Sequence, residues 1–475
     1  MVTPTAISSG RPVALRLVLP LMLLTAVGCD REATQPLLGG AAAAAEQRPG
    51  AENAVIHWST VATELMVDPG PIIDSRAFAI LFAAIHDAVN GVERRYQPYT
   101  ADLSSPGASI DAAVATAARD VLVALSPSRR GEIEAEYTAA LAAVPDGPAQ
   151  NEGVTLGRQS AQANLERRAS DGIPAGPWPP QEGPITEPAY VPTGEPGDYA
   201  FTPPFDRPPL GPIALFPGWG RLAPFAIDLA EHRLPGPPAL RSRDYAGDLD
   251  SVKSVGSLHS RTRTEDQTQV AFFWFEESTI WNRIADDVIR RKDIDPWRAA
   301  RILALMHFAI ADAGIACFEA KYHFRFWRPY TAIRGAGEDG NRFTEADEAW
   351  LPLLWTAPGV IPPTFFIPPI PEYPSAAATI SAAAAEVLIR TLGDHQRFKA
   401  TSPSLPGVTR RFDSFTEAAK ENRLSRIYGG IHFPHAVRDG FRLGKGVGRD
   451  VSRLLPRVHR NINERASTPS SGSQP

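Results

Sequence analysis

The sequence predicts an all-α protein, a helical bundle with a long, ordered, proline-rich wrap. Apolar residues recur at steps of three and four along many segments, as expected for helices with one buried face. No stretch alternates apolar and polar residues for long enough to indicate a sheet. With 475 residues, of which 43% are hydrophobic, the chain is long enough to bury a large core.

Helical periodicity is clearest in five places, and sequence signals mark several of their ends. The segment 75–91 ends at a glycine, and another helix begins at Pro296, where Asp295 supplies an N-cap and the proline the first helical position. Three further helices are expected before the C-terminal tail. The other predicted segments are 111–125, 129–143 and 263–290.

Residues 173–240 are rich in proline, in a chain that holds 46 prolines. A disordered linker is the simplest interpretation of such a stretch. Large apolar side chains are spread along it, however, and linkers lack such anchors. We therefore expect an ordered wrap that packs over the helices through Trp178, Tyr190, Phe201, Phe216, Trp219 and Phe225.

The N-terminus reads as an export signal. Two arginines, an apolar run broken by Pro20 and a set of small residues precede Cys29, and the run is too short to span a membrane. Ala-Val-Gly-Cys resembles the box at which bacterial lipoproteins are cleaved and acylated, which would make Cys29 a lipid anchor in the periplasm or cell envelope. A soluble exported protein is the alternative. Cys317 then remains as the one other cysteine, so no intramolecular disulfide is expected.

These features give a predicted order along the chain: a lipoprotein-type signal peptide over 1–29, a flexible tether over 30–54, N-terminal helices and the wrap over 55–240, a C-terminal helical half over 241–457, and a disordered tail over 458–475. The net charge is −5, and the basic residues are scattered. We therefore expect no nucleic-acid partner.

The first chemical segment joins two cations. Lys321 and Arg328 are seven residues apart, which would place them about 20° apart around one helix that ends at Pro329. A solvated basic face is the simpler interpretation. Aromatic residues surround the pair, however, and cations set in aromatic surface usually have a partner or a ligand.

The second and third segments supply an anion-binding helix end and a histidine. Ser375 stands at the N-cap position of a helix that stops at Gly393, and free N–H groups at such an end attract anions. The third segment opens with a capping box from Ser414 to Glu417 and is expected to run as a helix to Pro434. It carries Arg426 and His432, and by itself a helical histidine is more often structural.

In order and spacing, K-x6-RP, P-S and SR-x5-H resemble the three signature segments of the superfamily that joins vanadium-dependent haloperoxidases, type 2 phosphatidic acid phosphatases and bacterial acid phosphatases. Upstream segments AIHDAVNGVERRYQPY and FPGWGRLAPF resemble the exported bacterial haloperoxidase branch. The resemblance covers roughly residues 55–455 and implies a helical bundle with the site at its end.

The resemblance implies a cradle for vanadate, with phosphate as a competing occupant. His432 would be the axial vanadium ligand of a haloperoxidase, or the nucleophile of a phosphatase. The groups that would hold the oxyanion are the side chains of Lys321, Arg328, Ser375 and Arg426 and the backbone N–H of Ala376.

Two family positions differ in this chain. The general-acid histidine of P-S-G-H is replaced by Ala377, and the aspartate four residues after the signature histidine is replaced by Ala436. His435 and Asp439 are nearby substitutes, and the helix geometry after Pro434 decides whether either can orient His432. His86 and Asp87 are tempting substitutes for the acid, but a structural role is favoured for both.

Three functions follow. The favoured one is an exported vanadate-dependent haloperoxidase that oxidises a halide with hydrogen peroxide. A phosphomonoesterase that uses His432 as nucleophile is the first alternative, and a degenerate lipoprotein that only binds phosphate or vanadate is the second. Membrane attachment would come from the lipid anchor alone, and a homo-oligomer remains open.

Overall fold

The structure is a computed structural model that describes residues 53–65, 71–173, 186–208, 211–275, 278–355 and 367–458. All of them lie within one compact unit, Glu52–Pro475. The predicted signal peptide with Cys29, all but two residues of the tether, and the tail beyond residue 458 lie outside the described residues. The division of the folded body at residue 240 stays a prediction.

Helices make up nearly all the regular structure of the described chain, so the all-α prediction is confirmed. The first eight are α1 (Ala54–Leu65), α2 (Pro71–Val92), α3 (Ile110–Leu125), α4 (Arg130–Ala142), α5 (Pro148–Arg167), α6 (Arg243–Val255), α7 (Glu265–Phe273) and α8 (Ser278–Arg291). The last five are α9 (Pro296–Phe324), α10 (Pro329–Arg334), α11 (Ala376–Leu392), α12 (Phe415–Tyr428) and α13 (Pro434–Val451).

Several boundaries depart from the sequence prediction. The periodicity at 263–290 belongs to two helices, α7 and α8, and four helices were not predicted: α1, α5, α6 and the short α10. A short antiparallel hairpin pairs Phe398–Thr401 (β1) with Thr409–Phe412 (β2). Strands of four residues are too short for an alternating pattern to stand out in the sequence.

Helix α9 is the centre of the fold. Asp295 caps its N-terminus by accepting a hydrogen bond from the backbone N–H of Arg298, and Pro296 takes the first position, as predicted. Its length and apolar composition would suit a membrane span, but 94% of its most apolar 18-residue window is buried inside the protein. The helix packs against α2, α11 and α13, so these neighbours account for its apolar surface.

The described part of the proline-rich region, 186–208 and 211–240, is an ordered wrap held to α9. The carboxylate of Asp312 accepts hydrogen bonds from the backbone N–H groups of Phe225 at 2.6 Å and Ala226 at 2.8 Å. Trp219 is buried beside them. The predicted anchor Trp178 lies outside the described residues.

Helices α11 and α13 pack at close range, and both begin at the candidate site. A Cβ atom built on Gly444 of α13 would lie 1.9 Å from the carbonyl oxygen of Thr379 in α11. Only a residue without a side chain therefore permits this approach. The close contact fixes Ser375, at the start of α11, relative to the segment that precedes α13.

We predict that Gly444→Ala lowers the free energy of unfolding by about 1–3 kcal/mol, the usual cost of overpacking, despite the better helix propensity of alanine. Gly446→Ala is the matched control, because the nearest atom to its added Cβ, in His232, lies 3.4 Å away. Thermal unfolding followed by circular dichroism measures both. Equal stability of the two variants would contradict the proposed close contact.

Candidate active site

Lys321 and Arg328 both line the site, but they do not share a helix as predicted. Helix α9 ends at Phe324, and Arg325 leaves it with a left-handed backbone, φ 54°. Arg328 has an extended backbone and is the N-cap residue of α10, which starts at Pro329. A residue before proline is pushed out of the helical region, which is why the continuous helix does not form. The two cations approach from a helix end and from a turn.

Lys321 is fully buried in the last turn of α9. Its ammonium group donates to the backbone carbonyl oxygens of Pro371, at 2.8 Å, and Glu372, at 3.0 Å. Burial lowers the pKa of Lys321 to about 7, and the nearby charge of Arg328 acts in the same direction. The side chain thus ties α9 to the loop that leads into α11.

Arg328 is also fully buried, with one nitrogen left over. Its Nε donates to the carbonyl oxygen of Ile370 at 2.8 Å, and its Nη1 donates to that of Ile431 at 3.0 Å. Nη2 has no hydrogen-bond partner in the described part of the protein. A buried guanidinium nitrogen in this state is costly, so it indicates a place for an acceptor that the chain does not supply.

The second segment forms the predicted helix start. Ser375 follows a cis Tyr373–Pro374 peptide, and its side chain accepts a hydrogen bond from the backbone N–H of Ala378. Ala376 opens α11, and Ala377 is buried beside it. The residue that stands in the general-acid position is therefore a methyl group inside the protein.

Arg426 lies in the last turn of α12, which begins after the predicted cap Ser414. The guanidinium donates from Nε to the hydroxyl of Ser425 at 3.0 Å and from Nη2 to the carbonyl oxygen of Trp274. Its charge acts on His432, so it belongs to the same electrostatic environment.

His432 does not lie on a helix, which corrects the prediction. Helix α12 ends at Tyr428, Gly430 has a positive φ of 75°, and Pro434 starts α13 rather than ending the earlier helix. Proline fits the first position of a helix as well as it stops one. Gly429 makes room for the side chain of Leu354. His432 therefore lies in the loop between α12 and α13.

The imidazole of His432 is buried, and its two ring nitrogens have different partners. Its Nδ1 lies 2.9 Å from Oε1 of Glu372, an acceptor, and its Nε2 lies 3.4 Å from Nη1 of Arg328, a donor. The proton therefore belongs on Nδ1, and the lone pair of Nε2 is left toward the cations. Burial and the charges of Arg328 and Lys321 lower the pKa of His432 well below its ordinary value, so the ring is neutral.

The partner of Nδ1, Glu372, was not identified from the sequence. It is fully buried three residues before Ser375, in the segment PEYPS. A carboxylate in an otherwise apolar and proline-rich stretch was the available signal. Neither expected substitute fills this role: Asp439 accepts from the Tyr373 hydroxyl and from Arg438, and Nδ1 of His435 lies 2.7 Å from Asp248.

His86 and Asp87 serve the N-terminal half, as favoured. Nε2 of His86 lies 3.0 Å from the carbonyl oxygen of Gln97. The carboxylate of Asp87 accepts from the backbone N–H groups of Tyr99 and Thr100. Both side chains are committed to holding the loop after α2, so neither replaces the missing acid.

Comparison with known proteins agrees with this geometry. Residues 301–461, which carry all three segments, match a family model described as VCPO second helical-bundle domain. Vanadium chloroperoxidase from Curvularia inaequalis is 26% identical, over 86% of this chain and 81% of its own length. These matches support the resemblance of this chain to the vanadium haloperoxidase superfamily that its three segments indicated.

Solved structures of the family share the fold. The first bacterial vanadium-dependent iodoperoxidase aligns with a TM-score of 0.67 at 23% identity, covering 86% of this chain and 97% of its own. Holo-type bacterial vanadium-dependent chloroperoxidase aligns with a TM-score of 0.63 at 17% identity, covering 82% and 93%. The helical haloperoxidase-like architecture is thus confirmed across nearly the whole described body.

We predict that Lys321→Met weakens the binding of orthovanadate and of inorganic phosphate by about 10- to 150-fold, since a hydrogen bond to a charged group contributes about 1.5–3 kcal/mol. Lys445→Met, which removes a half-exposed lysine from α13, should leave both affinities unchanged. Isothermal titration calorimetry gives the dissociation constants. An unaltered affinity in Lys321→Met would contradict the site assignment.

Proposed function

We propose that this protein is an exported vanadate-dependent haloperoxidase that oxidises a halide with hydrogen peroxide. The proposal rests on two features of one site: the Nε2 lone pair of the neutral His432 faces Nη1 of Arg328 at 3.4 Å, and Nη2 of the same buried guanidinium has no acceptor within the described residues. Similarity to vanadium chloroperoxidase supports the reaction class.

The described residues fit vanadate. An oxyanion would accept a hydrogen bond from Nη2 of Arg328. Its negative charge would also stabilise the buried ammonium group of Lys321, which the positive charge of Arg328 destabilises. Vanadate, when bound, supplies the Lewis-acid chemistry that activates hydrogen peroxide for attack by a halide. Lys321, Arg328 and Arg426 would hold its oxygens, with the Ser375 hydroxyl and the Ala376 N–H at the start of α11.

The chain's own groups have separable tasks in this proposal. His432 would bind vanadate through Nε2, because its Nδ1 is held by Glu372. The cations would hold the oxyanion and stabilise its negative charge. Burial of the whole set excludes water and strengthens each of these interactions.

Ala377 limits the rate. A general acid typically contributes about 100- to 10,000-fold, and its position here holds a methyl group. No side chain at this position can then transfer a proton to the reacting oxygen. We therefore expect oxidation of the more easily oxidised halides and slow turnover.

A second candidate is a phosphomonoesterase, which the same neutral His432 and the same loss of acid support. Nε2 would attack phosphorus, the bond to the leaving oxygen would break, and water would then hydrolyse the phosphohistidine. Without an acid, only substrates with good leaving groups would react. Pure binding of phosphate or vanadate by a surface lipoprotein is the remaining alternative.

We propose the cell envelope as the location, with Cys29 as the acylated residue. The support is the sequence of residues 11–29 alone. Radiolabelled palmitate incorporation into the full chain, compared with Cys29→Ala, distinguishes the lipoprotein from a soluble exported protein.

We predict that the mature protein oxidises iodide or bromide only after addition of orthovanadate, and that Ala377→His raises this rate by about 100-fold or more, because it restores the acid. His432→Ala should abolish the rate in both backgrounds. Triiodide formation at 353 nm or monochlorodimedone bromination measures turnover.

The alternatives give different results. Hydrolysis of 4-nitrophenyl phosphate without vanadate, lost in His432→Ala, would indicate the phosphatase. Tight vanadate binding with no turnover in either the natural chain or Ala377→His would contradict both enzymes and leave a binding protein.

A further inference from the structure

The histidine that would bond through Nε2 needs a fixed ring and a fixed proton. In this chain both are set by Glu372: its Oε1 accepts from His432 Nδ1 and from the backbone N–H of Phe433, each at 2.9 Å. One carboxylate oxygen thus accepts hydrogen bonds from both the imidazole and the backbone next to it. Rotation of the ring would break the first contact while the second stays in place.

Glu372 is itself immobilised by the other two signature segments. Its backbone N–H donates to the carbonyl oxygen of Phe326 at 2.8 Å, and its own carbonyl oxygen accepts from Lys321 Nζ at 3.0 Å. It precedes the N-cap Ser375 by three residues. A single residue therefore contacts the segment of Lys321, leads into that of Ser375 and holds His432.

The second oxygen of Glu372 faces another imidazole. Oε2 lies 4.0 Å from Nε2 of His435, and neither atom has a hydrogen-bond partner within the described residues. His435 is held from the other side by Asp248, at 2.7 Å. The side chain of Glu372 is thus enclosed between two histidines, and only His432 is within hydrogen-bond distance.

We propose that Glu372 is the positioning residue for His432. The inference rests on the proposed function for its consequence, ligation through Nε2, but not for the contact itself. A carboxylate from the second segment thereby orients the imidazole of the third.

The geometry distinguishes positioning from simple charge pairing. An acceptor at Oε1 is enough to fix the Nδ1–H tautomer, so a glutamine in place of Glu372 should preserve it. A methionine of similar volume accepts no comparable hydrogen bond and should release it. A role as a buried counter-charge would make the two variants equally defective, because both lack the charge.

The experiment is 15N NMR of histidine-labelled protein, with the His432 signals identified by their absence in His432→Gln. The natural chain and Glu372→Gln should show a protonated Nδ1 and an unprotonated Nε2. Glu372→Met should lose that preference and bind orthovanadate about 10- to 100-fold more weakly by calorimetry, the usual effect of losing such a partner. Glu386→Met, on the far part of α11, is the control and should match the natural chain.

Three results would overturn the proposal: an Nε2-protonated His432 in the natural chain, an unchanged tautomer in folded Glu372→Met, or a Gln variant as defective as the Met variant. The first needs no variant of Glu372, so the test survives if Glu372→Met does not fold. Failure of the proposed function is separate: a natural chain that binds no vanadate but shows the Nδ1–H tautomer would sink the haloperoxidase and leave the positioning intact.

Discussion

Positive charge packed inside an apolar helical protein is the constraint on which the site depends. Lys321, Arg328 and Arg426 are nearly or completely removed from solvent, and all three act on the neutral imidazole of His432. Burying such charges is expensive unless each is hydrogen-bonded. Backbone carbonyl oxygens from the loops before α11 and α13 accept most of these hydrogen bonds. They leave Nη2 of Arg328 without an acceptor in the described part of the protein.

The helices around this cluster place its residues at their ends or in the loops between them. Helix α9 delivers Lys321 at its C-terminal end, α11 delivers Ser375 at its N-terminal end, and the loop before α13 delivers His432. The glycine contact at Gly444 holds α11 and α13 close together. The site is thus built mainly from helix ends and short loops, where backbone groups are free to serve as partners.

Local signals in the sequence were sufficient to predict several helices and the residues that cap them. The caps at Asp295 and Ser375 and the helical periodicity of α2, α3 and α4 depend on neighbouring residues, so they could be predicted. The prediction that Lys321 and Arg328 share one helix was wrong, because the left-handed backbone at Arg325 ends one helix and the proline after Arg328 begins another. The same ambiguity at Pro434 misplaced His432 on a helix.

The partner of His432 could not be reached in this way. Glu372 and His432 are 60 residues apart, and their contact depends on the packing of α11 against α13. Asp439 and His435 were candidates because they are near in sequence, yet each has another partner. The family resemblance was enough to predict the three cations of the site, whereas the residue that orients the histidine was identified only from the structure.

The most direct measurement is a crystal structure of the mature protein soaked with orthovanadate. We predict density for a vanadium centre bonded to Nε2 of His432, with Lys321, Arg328 and Arg426 in contact with its oxygens and Glu372 still hydrogen-bonded to Nδ1. An oxyanion bound elsewhere, or none at millimolar vanadate with the cradle as described, would contradict it.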